Sequence, residues 1–299
     1  MIHRSQDKEQ LMGGDANTPT HIPSGGWKQI ASRVWRQVDE THMWLIAAGV
    51  AFYAILSIFP LLIAMVSIYG LVADASVVES QINRMSDILP PDVRVLLSEQ
   101  LNAIVSSSPQ SLSLGVIISI ILTLWTVSTG MYYLISALNI VYHEDEKRSF
   151  LQVRGIAFGL TLLMIISAIL SLSLIAGLPA MLTFTGLSGL IEQLLLVGRW
   201  PLLAFGGMLF LAVINRYGPC RRDAKWRWVT VGSSGVTLVW LFASALFSYY
   251  VSNFGNYNET YGSLATPVIM MTWLYLSSFL LLLGSAFNAE AEHQTAQDT

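Results

Sequence analysis

Apolar residues in this chain gather into long blocks without Asp, Glu, Lys or Arg, and short charged clusters separate them. A helix needs about 20 apolar residues to cross a hydrocarbon layer about 30 Å thick. Six blocks meet that need: Thr41–Ala73, Gln100–His143, Gly155–Ile191, Trp200–Asn215, Trp228–Asn258 and Thr260–Ala289. The predicted spans within them are about 44–72, 112–142, 155–178, 198–217, 229–251 and 266–289. The fourth is the shortest, and it spans only if Arg199 and Arg216 snorkel to opposite interfaces. The expected class is all-α: a polytopic bundle of six transmembrane helices, with amphipathic helices outside it.

Polar flanks complete the domain plan. Residues 1–40 form a polar amino-terminal tail that ends in a short interfacial helix, Gly26–Glu40, carrying Trp27 and Trp35. No short apolar core lies near the start, so a secretory signal is not expected. The membrane domain occupies 41–290, and 291–299 form a carboxy-terminal tail. Between the first two spans, Asp74–Ser111 divides at Pro90-Pro91. Val77, Val78, Ile82, Met85 and Ile88 mark one amphipathic helix there, and Val93, Leu96, Leu97, Leu101 and Ile104 mark another. They form either a lid or a solvated cap. Leu187–Gly198 is expected to lie at the same interface.

Charge sets the orientation. Arg4, Lys8, Lys28, Arg33 and Arg36 precede the first span, Lys147, Arg148 and Arg154 fall in the second loop, and Arg216, Arg221, Arg222, Lys225 and Arg227 fall in the fourth. The opposite side has only Arg84, Arg94 and Arg199. Basic residues are retained in the cytoplasm, so both termini are expected there. Composition agrees: 54% of residues are hydrophobic and 12% charged, against about 25% charged in soluble domains, and mean hydropathy is +0.56. The net charge of −3 points to no nucleic-acid partner. Cys220 is the single cysteine, so no internal disulfide is available.

The predicted spans hold no charge at depth, which disfavours a carboxylate proton relay or a voltage sensor. Neutral polar stripes stand in their place. Tyr53, Ser57 and Pro60 share a face of the first span, where Pro60 should kink the helix. Trp125, Ser128, Tyr132, Ser136 and Asn139 follow one stripe of the second. Ser233, Thr237, Trp240, Ser244 and Ser248 follow one of the fifth. Such stripes either line a neutral aromatic cavity or let helices pack closely. An outer loop holds Asn253, Phe254, Tyr257, Asn258, Tyr261 and Gly262, and it reads as a grip for a polar headgroup or as a turn. Arg221, Arg222, Lys225 and Arg227, interleaved with tryptophans, are expected to contact anionic lipid headgroups. His143-Glu144-Asp145-Glu146 reads as a solvated acidic turn. Phosphate-binding loops, dinucleotide fingerprints, HExxH and paired CxxC motifs are absent, so neither enzyme activity, nor a metal, nor a cofactor is expected.

Four stretches carry a family resemblance: GVAFYAILSIFPLLIA from Gly49, LWTVSTGMYYLISALNIVY from Leu124, RYGPCRRDAKWRW from Arg216, and the long run from Tyr250 to Glu290. Together they make residues 30–292 resemble the YihY/BrkB family of bacterial inner-membrane proteins. The resemblance implies six spans and a role described as unknown or as a transporter, with some members linked to serum resistance. It also implies family-typical residues at Tyr53, Ser57, Pro60, Ser128, Asn139, Tyr257, Tyr261, Gly262, Trp273, Gly284 and Asn288. A ribonuclease BN label attached to the family finds no metal-ligand cluster here. The functional expectation is a transporter or exporter of a small amphipathic or lipid-derived solute. The alternative is a non-enzymatic envelope scaffold. Membrane lipids and a second copy of the chain are the expected partners.

Overall fold

A computed structural model gives the architecture and describes residues 21–72, 99, 114–185, 189–221, 226–254 and 265–294. The elements are α1 (Ser24–Glu40), α2 (Met43–Val72), α3 (Leu114–Val141), α4 (Phe150–Leu172), α5 (Leu178–Thr185), α6 (Leu190–Tyr217), α7 (Trp226–Phe254) and α8 (Ala265–His293). A π-helical turn, Ser173–Gly177, joins α4 to α5. No strand occurs among the described residues. Among the described residues five helices are long and apolar enough to cross a membrane, and a sixth is counted when α1 and the start of α2 are taken as one bent span. The polytopic helical bundle read from the pattern is the observed fold.

Local chemistry explains the helix ends. Ser149 opens α4 with a capping box: its hydroxyl accepts from the Gln152 amide, and the Gln152 side chain returns to the Ser149 amide. At the end of α3, His143 takes a positive φ of 54°. The His143 amide donates to the Ile140 carbonyl and the Glu144 amide to the Asn139 carbonyl. That paired pattern closes a helix by a left-handed residue. His42, with φ 50°, turns the chain between α1 and α2, its amide donating to the Asp39 carbonyl at 3.2 Å, and the two axes meet at 68°. The amphipathic helix α1 buries Gly26, Ile30, Val34, Gln37 and Val38 against the end of α8, and leaves Trp35 exposed.

The six long helices form a ring. Neighbours pack in the order α2, α3, α4, α6, α7, α8, and α8 returns to α2. Across it, α8 also meets α3, and α2 meets α4. Glycine permits the closest crossing, where a Cβ on Gly284 would meet Val236 Cγ2 at 1.9 Å and one on Gly232 would meet the Gly284 carbonyl oxygen at 2.5 Å. Between α2 and α3, a Cβ on Gly130 would lie 2.9 Å from Ser57 Oγ. Trp44 stacks on Phe279 at 3.5 Å and joins α2 to α8.

Burial is graded along the ring. Among the described residues most of the buried core lies at the end that carries α1 and the end of α8, called here the terminal end. In α6 only Ala212, Ile214 and Asn215 are buried, and nothing from Leu190 to Leu211 is. In α7 the buried side chains described are Ser233 and Thr237, with none from Leu238 to Val251. The described part of α8 holds no buried residue before Ser278. Ile135, Leu138 and Val141 are inaccessible at the inner end of α3, whereas Leu122 is 61% exposed.

One boundary stands apart from expectation. α6 starts at Leu190, eight residues before the predicted span, and takes Glu192 and Gln193 into the helix ahead of Arg199. Of the stretch Leu187–Gly198, residues 190–198 are thus part of the helix. Arg199 is accommodated because its Nη1 donates to the Ile175 carbonyl at 3.1 Å and its guanidinium lies over Trp200. The helix α2 continues through Pro60 to Val72. The Asp74–Ser111 helices, apart from Glu99, lie outside the described residues.

Candidate functional site

The terminal end of the bundle holds a buried polar hub assembled from segments far apart in sequence. Its first layer ties α1 to α8. Arg33 pairs with the Glu290 carboxylate through Nε, and its Nη2 donates to the Glu290 carbonyl at 3.2 Å and to Gln294 Oε1 at 2.6 Å. Four residues further along α1, buried Gln37 donates from Nε2 to the Val141 carbonyl at 2.6 Å and meets His143 Nε2 at 3.1 Å. One turn of separation puts both side chains on the inward face of α1.

The second layer ties the α3–α4 loop to the α6–α7 loop. Asn139 Nδ2 donates to Glu146 Oε2, while its Oδ1 accepts the Cys220 amide, both at 2.8 Å. Glu146 accepts a two-pronged contact from Arg148, with Nε to Oε1 at 2.8 Å and Nη2 to Oε2 at 2.6 Å. Arg148 Nη2 also reaches the Gly218 carbonyl at 2.8 Å. A planar guanidinium fork matched to a carboxylate is the strong form of such a bond. The Arg148 hydrogen bonds hold the Glu146 carboxyl down at about 2 despite partial burial, and the Glu146 contact raises Arg148 above its ordinary range.

The third layer is the deepest. Arg221 Nη1 donates to Glu292 Oε2 at 2.6 Å, and both side chains are 4% exposed. Its Nη2 donates to the Asn215 carbonyl at 3.0 Å, and its guanidinium lies 4.2 Å from the Tyr142 ring centre. The Tyr142 hydroxyl donates to Asn215 Oδ1 at 3.1 Å. Burial pushes the Tyr142 phenol up to about 12, against the pull of the neighbouring Arg221 cation. Asn288 Oδ1 accepts the Gly232 amide at 2.7 Å and fixes α8 to α7. The adjoining crevice between Leu211, Asn215, Gly232, Val236, Leu281 and Gly284 has no room for a water molecule.

Several expectations change in this light. Arg221 does not reach lipid headgroups, because its guanidinium is turned into the protein and paired with Glu292. Glu146 is locked by Arg148 and Asn139. Arg222 and Lys225 lie outside the described residues, and Arg227 is described only as part of α7. The stripe hydroxyls of Ser57, Ser128 and Ser136 donate to their own backbone at Tyr53, Trp125 and Tyr132. Ser57, Ser128 and Asn139 are buried; Tyr53 stacks on Tyr133 at 3.6 Å; Tyr132 and Pro60 are half-buried. Trp125 is 44% exposed. Trp240 Nε1 donates to Ser277 Oγ at 2.9 Å, and Ser244, a turn further on, is half-buried. Asn253 and Phe254 end α7 as backbone, while Tyr257, Asn258, Tyr261 and Gly262 lie outside the described residues. Among the described residues no three His, Cys, Asp or Glu side chains gather as a metal site needs.

Comparison with known proteins places these features in a family. The profile described as virulence factor BrkB matches residues 34–299. The chain belongs to the BrkB family. A BrkB-family relative from Bacillus subtilis (strain 168), named as the ribonuclease-like protein YfkH, is 30% identical over 253 residues, covering 81% of this chain and 88% of its own. A UPF0761 membrane protein from Tolumonas auensis is 26% identical over 268 residues, with 88% and 85% covered. Another, from Bordetella petrii, is 24% identical and matches over 58% of its own length. No solved structure matches this BrkB-family chain. Its membrane character is common ground with the UPF0761 relatives.

Proposed function

We propose that this BrkB-family protein transports a small amphipathic or lipid-derived solute across the bacterial inner membrane, with both termini in the cytoplasm, and that the structure represents a form sealed at the cytoplasmic end. The observation that carries the reading is the graded burial of the six-helix ring. Packed, ion-paired helix ends lie on one side, and from there the helices lose buried contact toward the other. A passage that opens on one side at a time needs a dense seal on the opposite side. The hub supplies one from Arg33, Gln37, Asn139, Glu146, Arg221 and Glu292. Its layers join α1, α3, α6 and α8 by side-chain bonds, so a modest shift of the helix ends breaks several at once.

The experiment is untargeted lipid and metabolite profiling of cells lacking the gene, complemented with wild type or with the Arg221→Met/Glu292→Leu protein at equal abundance. A compound that accumulates in the deletion and returns to normal with wild type supports transport. Reporter fusions at Glu146 and Asp223 should report cytoplasm, and those at Ser108 and Asn256 the other side.

A second reading is a rigid envelope scaffold. It is favoured by the hydroxyls of α2 and α3, which bond to their own backbone while Gly130 sits against Ser57. Unchanged profiles in every strain would favour it. The ribonuclease wording belongs to the Bacillus subtilis relative, and no group of residues in the hub supports it here.

A further inference from the structure

We propose that Arg154 binds the phosphodiester of an anionic phospholipid at the bundle surface. Arg154 lies in the second turn of α4, beyond the Ser149 cap. Its guanidinium is caged by aromatic rings, with centres 4.5 Å away at Tyr132, 4.9 Å at Trp125 and 5.5 Å at Phe150. Stacking on rings holds a guanidinium by its faces and leaves its N–H edge for an anion.

Among the described residues no carboxylate enters the cage. Arg33, Arg36, Arg148 and Arg221 each pair with a carboxylate, whereas Arg154 pairs with none among the described residues. Its Nη1 donates to Thr129 Oγ1 at 3.2 Å, and its Nε is buried from water without a hydrogen-bond partner. With Nε enclosed, the donors that can meet an anion are the four N–H groups on Nη1 and Nη2, and among the described residues Thr129 takes one of them. The surroundings select the source of that oxygen. Phe150 is 56% exposed and Leu151 75%, so apolar side chains flank the cation where acyl chains would lie. An anion that brings its own hydrocarbon fits a cation set among exposed apolar side chains on this surface. The contact is local to the α3–α4 surface and is separate from the seal.

The test uses the full chain in a neutral detergent, with unfolding followed by a thiol-reactive dye on Cys220. Phosphatidylglycerol should raise the midpoint by ~3 °C or more above phosphatidylcholine with the same acyl chains. Arg154→Gln should remove that difference, and Arg154→Lys should keep less than half of it, because an ammonium lacks the planar stack. If Arg154→Gln does not fold, Phe150→Leu, which opens one wall of the cage, should weaken the response. An unchanged phosphatidylglycerol response in Arg154→Gln, or in Phe150→Leu where that variant must stand in, would overturn the proposal. So would an equal response to both lipids, and so would a full response to inorganic phosphate alone, which would assign the site to a soluble ligand.

Discussion

Removing one member of the Arg221–Glu292 pair should destabilise the protein far more than removing both. Each side chain is 4% exposed, so neither charge can recruit bulk water when its partner is lost. Breaking a buried pair costs about 3–5 kcal/mol, whereas replacing both members by apolar side chains of similar size is often neutral or stabilising. Arg221 without Glu292 keeps the Asn215 carbonyl and the Tyr142 face, so about 3 kcal/mol is expected for Glu292→Ala. At roughly 2–4 °C per kcal/mol for chains of 150–250 residues, the midpoint falls by about 6–12 °C. Arg221→Met should cost a similar amount, and Arg221→Met/Glu292→Leu should recover most of the loss. The single cysteine suits the assay, because the Cys220 amide is bonded to Asn139 within the hub and a thiol dye therefore reports opening at that place. Single variants within about 1 kcal/mol of wild type, or a double variant as unstable as the two losses added, would refute the argument.

Gly232→Ala should prevent accumulation of folded protein, since its Cβ would lie 2.3 Å from Asn288 Oδ1 and 2.5 Å from the Gly284 carbonyl oxygen; size-exclusion profiles of the detergent extract check this. Gly130→Ala should cost about 1–3 kcal/mol by overpacking, and Ser57→Ala should rescue part of it by removing the Oγ that the new methyl meets; melting of the single and double variants decides. Glu146 is depressed from 4.5 to about 2 by Arg148, so its stabilisation is complete above pH 4.5 and is lost as pH falls toward 2. In Glu146→Gln the loss of stability across that window should be shallower, as acid melting curves will show. Tyr142→Phe leaves Asn215 Oδ1 without its donor and should cost about 1–3 kcal/mol by thermal melting.

Much of the fold was legible because a membrane span announces itself by length and absence of charge. The same criterion misplaced the start of α6. It ended the charge-free block at Arg199, while the folded chain accommodates that charge with the Ile175 carbonyl and the Trp200 ring. The hub was illegible for a related reason. A search for charge within spans passes over Arg221, Glu290 and Glu292, which lie at their ends and look solvated. Partners such as Arg33 and Glu290 are brought together only when α1 folds back onto α8. One signal was present: Gly284, Asn288 and Glu292 recur every four residues along α8, an arrangement that places a close crossing, an amide and a carboxylate on one stripe. The cage around Arg154 was hidden because arginine near a span end was counted for orientation alone.

Closure of the ring by α8 against α2 and α1 has a consequence for biosynthesis. Among the described helices, α1 and α2 are made well before α8, in which they have final neighbours. Until residues 282–292 are in place, the inward face of α1 with Ile30 and Val34 lacks its cover, and Arg33 and Arg221 lack Glu290 and Glu292. Early spans must therefore wait in the bilayer as an incomplete arc, exposed to whatever insertion factors or proteases patrol it. Quality control of this protein is then decided at its carboxy-terminal helix, and a chain cut short before Asn288 should be cleared, however well its first four spans have inserted.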